Sequence, residues 1–201
     1  MSDQLTSVDR RIRKSKAALK EALLSLMQTK DFKKISITDI VQLADLNRGT
    51  FYKHYQYKEE LLEEIIDDVM KGLTESYRAP YDEIENFDVS QLTASAIKIF
   101  QHVTTYANFY TLLGRSNSLT GFQTRICDEL TQLLFQDLSQ SHTPLNPKIN
   151  PKMLASYQAY AIWGMIIEWI DSEFLYTSDY MAEQLLAIIQ RIPNHSFQKE
   201  Q

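Results

Sequence analysis

The sequence predicts an all-α protein of about nine helices, with a small N-terminal helix-turn-helix unit over residues 1–56 and a larger helical domain over 57–201. Three observations carry that expectation. Apolar residues recur three and four positions apart through most of the chain, the period of a helix with a buried face. Five Gly and five Pro in 201 residues are too few for a turn-rich β fold. Residues 36–62, SITDIVQLADLNRGTFYKHYQYKEELL, read as a short helix, a tight turn, a second short helix and the opening of a long one.

The first helix is expected over 8–29, with Ala18, Leu19, Ala22, Leu23, Leu26 and Met27 facing inward, and Phe32 and Ile35 closing the small core. Ser36 can cap the second helix, with Asp39 three residues on where a capping box has Glu or Gln. Ile37, Ile40, Val41 and Ala44 then share one face. Asp45-Leu46-Asn47 breaks the pattern, with Leu46 turned inward and Asn47 as the next cap. In the third helix, 48–55, Phe51 and Tyr55 lie four apart on the inner face, leaving Arg48, Thr50, Tyr52, Lys53 and His54 outside. Gly49 costs such a helix roughly 1 kcal/mol relative to Ala. Bare backbone in the first turn suits the close approach of a groove wall or phosphate.

A linker helix over 57–78 carries Leu61, Leu62, Ile65, Ile66, Val69 and Leu73, with Glu59 and Glu60 at its positive start and Ala79-Pro80-Tyr81 at its end. The larger domain reads as helices over 90–106, 107–113, 119–138, 152–171 and 179–192. A polar loop over 139–151 precedes the last two, Ser178 caps the final helix, and Pro193 stops it.

The net charge of −5 is unevenly spread: residues 1–60 carry +4 and the remainder −9. The basic excess gathers at Arg10, Arg11, Arg13, Lys14 and Lys16, and such asymmetry signals a nucleic-acid partner. The lone Cys127 cannot form an internal disulfide and fits a reducing compartment. The first residues lack the apolar core of a signal peptide, and no apolar run reaches the ~18 residues of a membrane span, so a cytoplasmic protein is expected. Metal-ligand spacing, a phosphate-cradling Gly-rich loop and a nucleophile motif are all missing, so no cofactor, no metal and no enzymatic activity are expected.

Ile37-Thr38-Asp39-Ile40, Ala44, Gly49-Thr50-Phe51-Tyr52-Lys53-His54-Tyr55 and Lys58-Glu59-Glu60-Leu61-Leu62 closely resemble the helix-turn-helix of the TetR family of bacterial transcription regulators. The chain departs from that family at Asp45, where Gly is usual; Asp tolerates turn geometry. The resemblance implies that Thr50 and Tyr52 meet bases or the sugar-phosphate wall, that His54 and Lys58 bind phosphates, and that Thr38 helps. Gly49 and Lys53 belong to the same DNA-facing set. Arg48 suits a bidentate guanine contact worth roughly 1–3 kcal/mol of discrimination, and Arg11 and Arg13 suit phosphates.

Residues 159–167, AYAIWGMII, are apolar on every side of the eighth helix, so it must be covered all round. A second copy of the chain is the simplest cover. Helices at about 152–192 are expected to form a homodimer through Ile162, Met165, Ile166, Met181, Leu185, Ile188 and Ile189, in keeping with the TetR pattern of a four-helix interface. That pairing would set two recognition helices about one DNA turn apart, roughly 34–36 Å, on a palindromic double-stranded operator. The resemblance also implies a small-molecule effector pocket, for which Phe100, Phe109, Phe122, Tyr157, Tyr160 and Trp163 are the expected wall.

The expected function is therefore a sequence-specific transcriptional regulator, a repressor released by a small-molecule effector. The alternative is a TetR-like activator or adaptor controlled by a protein partner or by no inducer. The runs 164–169 and 178–186 are similar to a TetR subgroup that includes a dihydroxyacetone-kinase operon activator, a relative whose effector is another protein, which cautions against assuming a drug-like ligand.

Overall fold

The computed structural model describes residues 2–79, 97–113, 119, 121–140 and 146–190, with side chains from residue 9 to 139 and 146 to 190 of that set. Every regular element among them is helical: α1 (Ser2–Met27), a 3-10 turn (Phe32–Lys34), α2 (Ile37–Leu43), α3 (Arg48–Tyr52), α4 (Lys58–Arg78), α5 (Ile99–Thr105), α6 (Ala107–Tyr110), α7 (Phe122–Gln140), α8 (Pro151–Asp171) and α9 (Ser178–Gln190). None is long and apolar enough to cross a membrane. The chain divides into two compact units, residues 1–72 with 106–128, and residues 73–105 with 129–201.

In the first unit, Leu19 and Leu23 of α1, Ile35, Ile40 of α2, Phe51 of α3 and Leu61 of α4 are fully buried. Burying side chains of this size stabilises the fold by roughly 1.5–3 kcal/mol each, before conformational entropy is subtracted. A polar seam ties α1 to α4 beside that core: Lys16 lies 2.8 Å from Glu64, and Lys20 lies 2.7 Å from Glu64 and 2.6 Å from Asp68. Burial pushes the Glu64 carboxyl up, but the two ammonium groups outweigh it and hold the group down at about 2. The rings of Phe109 and Phe122 meet edge to face at 4.7 Å, and Arg125 pairs with Asp67 at 3.0 Å.

In the second unit, α8 turns Ala155, Ala159, Ile162, Trp163, Ile166 and Trp169 inward, and α9 turns Met181, Ala182 and Leu185 inward. Phe100 of α5 meets Trp169 edge to face at 5.7 Å. Asn150 caps α8 by accepting from the backbone N–H of Lys152 and Met153. The helix closes on a Schellman turn: the Phe174 N–H donates to the Trp169 carbonyl, the Glu173 N–H donates to the Ile170 carbonyl, and both residues sit at positive φ, 55° and 56°. Contact between Trp169 and Phe174, ring centroids 5.1 Å apart, supplies the apolar clasp such turns carry. His102 of α5 is buried, and burial pushes it down to about 4.

Several boundaries differ from expectation. α3 stops at Tyr52, so Tyr55 reaches the core from the turn after the helix, with its N–H still donating to the Phe51 carbonyl. Thr177, not Ser178, caps α9, accepting from the Tyr180 N–H at 3.2 Å. α7 begins at Phe122, after Gly121 at φ 87°. The expected helix start at 90, the break at Pro80 and the stop at Pro193 lie outside the described residues.

Candidate nucleic-acid interface

The helix-turn-helix is assembled by three successive closures of the backbone: a side-chain capping box, a left-handed turn and a side-chain N-cap. Ser36 and Asp39 form a reciprocal capping box: the Asp39 N–H donates to Ser36 Oγ at 3.1 Å, and the Ser36 N–H donates to Asp39 Oδ2 at 2.8 Å. Lys30 adds an ion pair to the same carboxylate at 2.8 Å, and its hydrogen bond, followed by those of Ser36, holds Asp39 down at about 2.

The turn that follows is a second Schellman closure. Asp45 sits at φ 52°, the Asp45 N–H donates to the Gln42 carbonyl, and the Leu46 N–H donates back to the Val41 carbonyl at 2.9 Å. Left-handed backbone explains why glycine would suit this position, and why Asp, which tolerates that conformation better than most residues, can replace it.

Asn47 then opens α3. Its Oδ1 accepts from the Thr50 N–H at 2.8 Å and lies 3.2 Å from Thr50 Oγ1. A Cβ at Gly49 would stand 3.2 Å from that same oxygen, so the glycine protects the cap as well as leaving the first turn bare. Phe51 is fully buried against Tyr55, centroids 5.6 Å apart, and this fixes which face of α3 turns outward.

On that outward face Arg48, Gly49, Tyr52 and Lys53 are exposed, while Thr50 and His54 are half-buried. Arg48 donates to the Tyr52 hydroxyl at 3.1 Å and its guanidinium lies 5.8 Å from that ring, so the two side chains present donors and an aromatic plane together. Thr38, at the start of α2, is exposed, as are Arg11 and Arg13 on α1. Lys33 and Lys34 are exposed too, in the turn before Ser36; a basic pair directly ahead of a capped short helix is the sequence signal that marks them.

Lys58 is placed differently from expectation. Its Nζ donates to the carbonyls of Phe32 and Ile35 at 2.7 Å each, lies 3.4 Å from that of Lys33, and sits 4.6 Å from the centre of the Phe32 ring. All three donors of the ammonium are engaged within the protein. The reach back of more than twenty residues is a tertiary contact that no local pattern reports.

The expected interface and pocket residues also redistribute. Ile162, Ile166, Met181 and Leu185 are buried within one protomer and Met165 is half-buried; of that set only Ile188 and Ile189 are exposed. The open face of α8 carries instead Met153, Tyr157, Tyr160, Ala161 and Gly164, with Met153 and Tyr157 more than 70% exposed (73% and 72%). Tyr157 and Tyr160, expected in a pocket wall, therefore face outward. Phe109 and Phe122 are buried in the first unit, and Phe100 and Trp163 in the second.

Comparisons with known proteins agree on both halves of the chain. Residues 15–65 match the family model for bacterial regulatory proteins of the tetR family, and residues 90–191 match that for a transcriptional regulator C-terminal region. The chain is 20% identical over 177 residues to the uncharacterized HTH-type transcriptional regulator YxbF of Bacillus subtilis (strain 168), across 87% of this chain and 44% of that protein. It is 43% identical over 47 residues to the HTH-type dhaKLM operon transcriptional activator DhaS of Lactococcus lactis, across 23% of this chain and 25% of that one. The chain thus spans less than half the length of these curated relatives. Among solved structures it is similar in fold to NalD, the secondary repressor of the MexAB-OprM multidrug efflux pump in Pseudomonas aeruginosa, with TM-score 0.65, 23% identity, and 88% of this chain and 96% of that chain covered. A TetR transcriptional regulator from Streptococcus agalactiae 2603V matches with TM-score 0.57, 23% identity, and 93% and 99% covered.

Proposed function

We propose, from the premise that this chain belongs to the TetR family of bacterial regulatory proteins, that it is a homodimeric, sequence-specific regulator that grips duplex DNA through α3. The observation that carries this reading is the construction of α3 itself. Three caps and a buried Phe51 hold a five-residue helix that shows solvent Arg48, Gly49, Tyr52 and Lys53. Arg48 would read a base edge with Tyr52 beside it; Thr50 and Lys53 would meet the groove wall; Thr38, His54, Arg11 and Arg13 would bind phosphates.

The open face of α8 supports pairing of two copies. Met153, Tyr157, Tyr160 and Gly164 follow one another at helical spacing, and Ile188 and Ile189 of α9 are exposed as well. An apolar stripe of this kind left in water is a liability that a second copy removes.

The regulator would be a repressor whose DNA affinity falls when an effector binds the second unit. α4 runs unbroken from Lys58 to Arg78, which supports coupling through that helix as a shift between two spacings of the paired heads. A second reading, an activator governed by a protein partner, is favoured by the outward position of Tyr157 and Tyr160, which removes a third of the expected pocket wall.

The test is fluorescence anisotropy with duplex fragments selected from a randomised library, run over a series of salt concentrations. Binding by a dimer with a steep negative salt slope is expected. A monomer indifferent to every duplex at low salt would overturn the reading.

A further inference from the structure

We infer that Lys33 and Lys34, the basic pair in the 3-10 turn, form a further phosphate-binding site that takes the sugar-phosphate backbone beside the stretch gripped by α3, whatever its sequence. The inference rests on the DNA reading above and extends it to a turn that reading leaves without a role.

The turn is a built platform. Asp31 opens it: Oδ1 accepts the Lys33 N–H at 2.8 Å, and the carbonyl accepts the Lys34 N–H at 2.9 Å. The Ile35 N–H closes on the Phe32 carbonyl at 3.1 Å, and the Ile35 side chain is buried. From α4, Lys58 Nζ reaches the carbonyls of Phe32 and Ile35 at 2.7 Å each. With the backbone fixed in this way, only the two lysine side chains remain to be ordered when a ligand arrives, which keeps the entropic cost of binding low.

The charge of the turn suits a polyanion. Lys33 and Lys34 are exposed, and among the described residues neither ammonium has a partner. The carboxylates bonded to the same segment are already engaged. Asp31 holds the Lys33 N–H, while Asp39 holds the Ser36 N–H at 2.8 Å and the Lys30 ammonium at 2.8 Å. Lys58 brings a further positive charge against the turn from α4. Four ammonium groups, those of Lys30, Lys33, Lys34 and Lys58, thus stand against the two carboxylates of Asp31 and Asp39.

Position completes the case. Only Ile35 separates the pair from the Ser36 cap, and Thr38, exposed in the first turn of α2, follows at once. Each DNA strand carries one phosphate per about 3.4 Å of helix axis, so a strand that meets Thr38 brings further phosphates to the turn just ahead of it. A lysine ammonium binds phosphate as a point charge and reads no base edge, so this contact adds affinity without sequence preference.

The experiment compares the wild type with two double variants, Lys33→Gln/Lys34→Gln and Lys33→Arg/Lys34→Arg. Anisotropy is read over a salt series on the selected duplex and on an unrelated one. The free protein should keep its thermal midpoint in both variants, because the side chains are exposed and the turn is closed by backbone groups. The Gln variant should bind both duplexes roughly tenfold or more weakly at moderate salt. Its salt slope should shrink by about 3.6 per dimer, the loss of four phosphate contacts at about 0.9 each. The Arg variant should keep the wild-type slope. A Gln variant with the wild-type slope overturns the inference, whether its affinity is unchanged, as for a merely solvated pair, or lowered on the selected duplex alone, as for a structural or base-reading role. An Arg variant that loses as much slope as the Gln variant overturns it equally. Wild-type binding beside any of these results leaves the DNA reading standing, whereas a wild type that binds no duplex overturns that reading and this inference together.

Discussion

The outer faces of α3 and α8 are both exposed, and they are built on opposite principles. α3 is five residues long, shows charge and hydroxyl to solvent, and is held in place mostly by polar devices: the Ser36–Asp39 box, the Asp45 turn and the Asn47 cap. α8 is 21 residues long, shows Met153, Tyr157, Tyr160 and Gly164, and is held by packing of Trp163, Ile166 and Trp169. A short helix cannot hold itself by propensity, so capping and one buried aromatic must do it. A long apolar helix has no such need, but it leaves a face that water disfavours. The contrast separates a charged, hydroxyl-bearing surface, which the proposal gives to DNA, from an apolar one, which it gives to a second copy of the chain.

The sharpest way to break that contrast is to put charge on the α8 face. Tyr157→Glu combined with Ile188→Glu should leave the protomer folded, because both side chains are exposed, and should release a monomer of 23.4 kDa in sedimentation. Losing the paired head should lower operator affinity by roughly a hundredfold or more, since the second head no longer binds intramolecularly. Unchanged mass would assign the stripe another role.

Arg48→Ala probes the other face. It should relax preference at one base pair by roughly 1–3 kcal/mol while leaving the thermal midpoint in place, as the side chain is exposed. An equal loss on all sequences would reassign Arg48 to phosphate.

Acid should distinguish the two faces. The folded-state value for Glu64, about 2, lies below its ordinary 4.5. Its contribution is therefore complete above about 4.5 and is lost as pH falls through 2. Asp39, also held at about 2, acts in the same direction. Amide protection in α1, α2 and α4 should fall in that window, whereas the second unit, which buries His102 at about 4 against its ordinary 6.5, loses stability earlier, as pH falls from about 6.5 through 4, so fluorescence of Trp163 and Trp169 should change first. After allowance for solvent screening the Glu64 contribution is on the order of 1 kcal/mol, and Glu64→Gln should flatten the dependence.

Gly164→Ala sharpens the assignment of the α8 face, because a Cβ there meets nothing within 4 Å in the protomer. Within one chain it should stabilise the helix by about 1 kcal/mol. A weaker dimer in the same variant, measured by dilution, would place Gly164 at a close helix crossing. The smallest effect is expected at Asp45, where φ is 52°: Asp45→Gly relieves the left-handed backbone and should stabilise the first unit by at most about 1 kcal/mol in denaturant titration.

The cap residues were legible before any coordinates, since Ser36, Asp39 and Asn47 act on backbone groups three residues away. Lys58 was not, since its acceptors lie at residues 32–35 and the lysine itself looks like any other solvent-facing cation in a basic region. Tyr157 and Tyr160 misled for a different reason: aromatic density marks buried walls and exposed contact faces alike. Sequence by itself determined the helical class, the order of the recognition elements and the need for something to cover residues 159–167, because each follows from periodicity and short-range hydrogen bonding. Only the tertiary structure decided which side of α8 is left open. A helix apolar all round has no amphipathic phase, so its orientation is set by the neighbours that claim Ile162, Trp163 and Ile166, and what they leave uncovered becomes the surface.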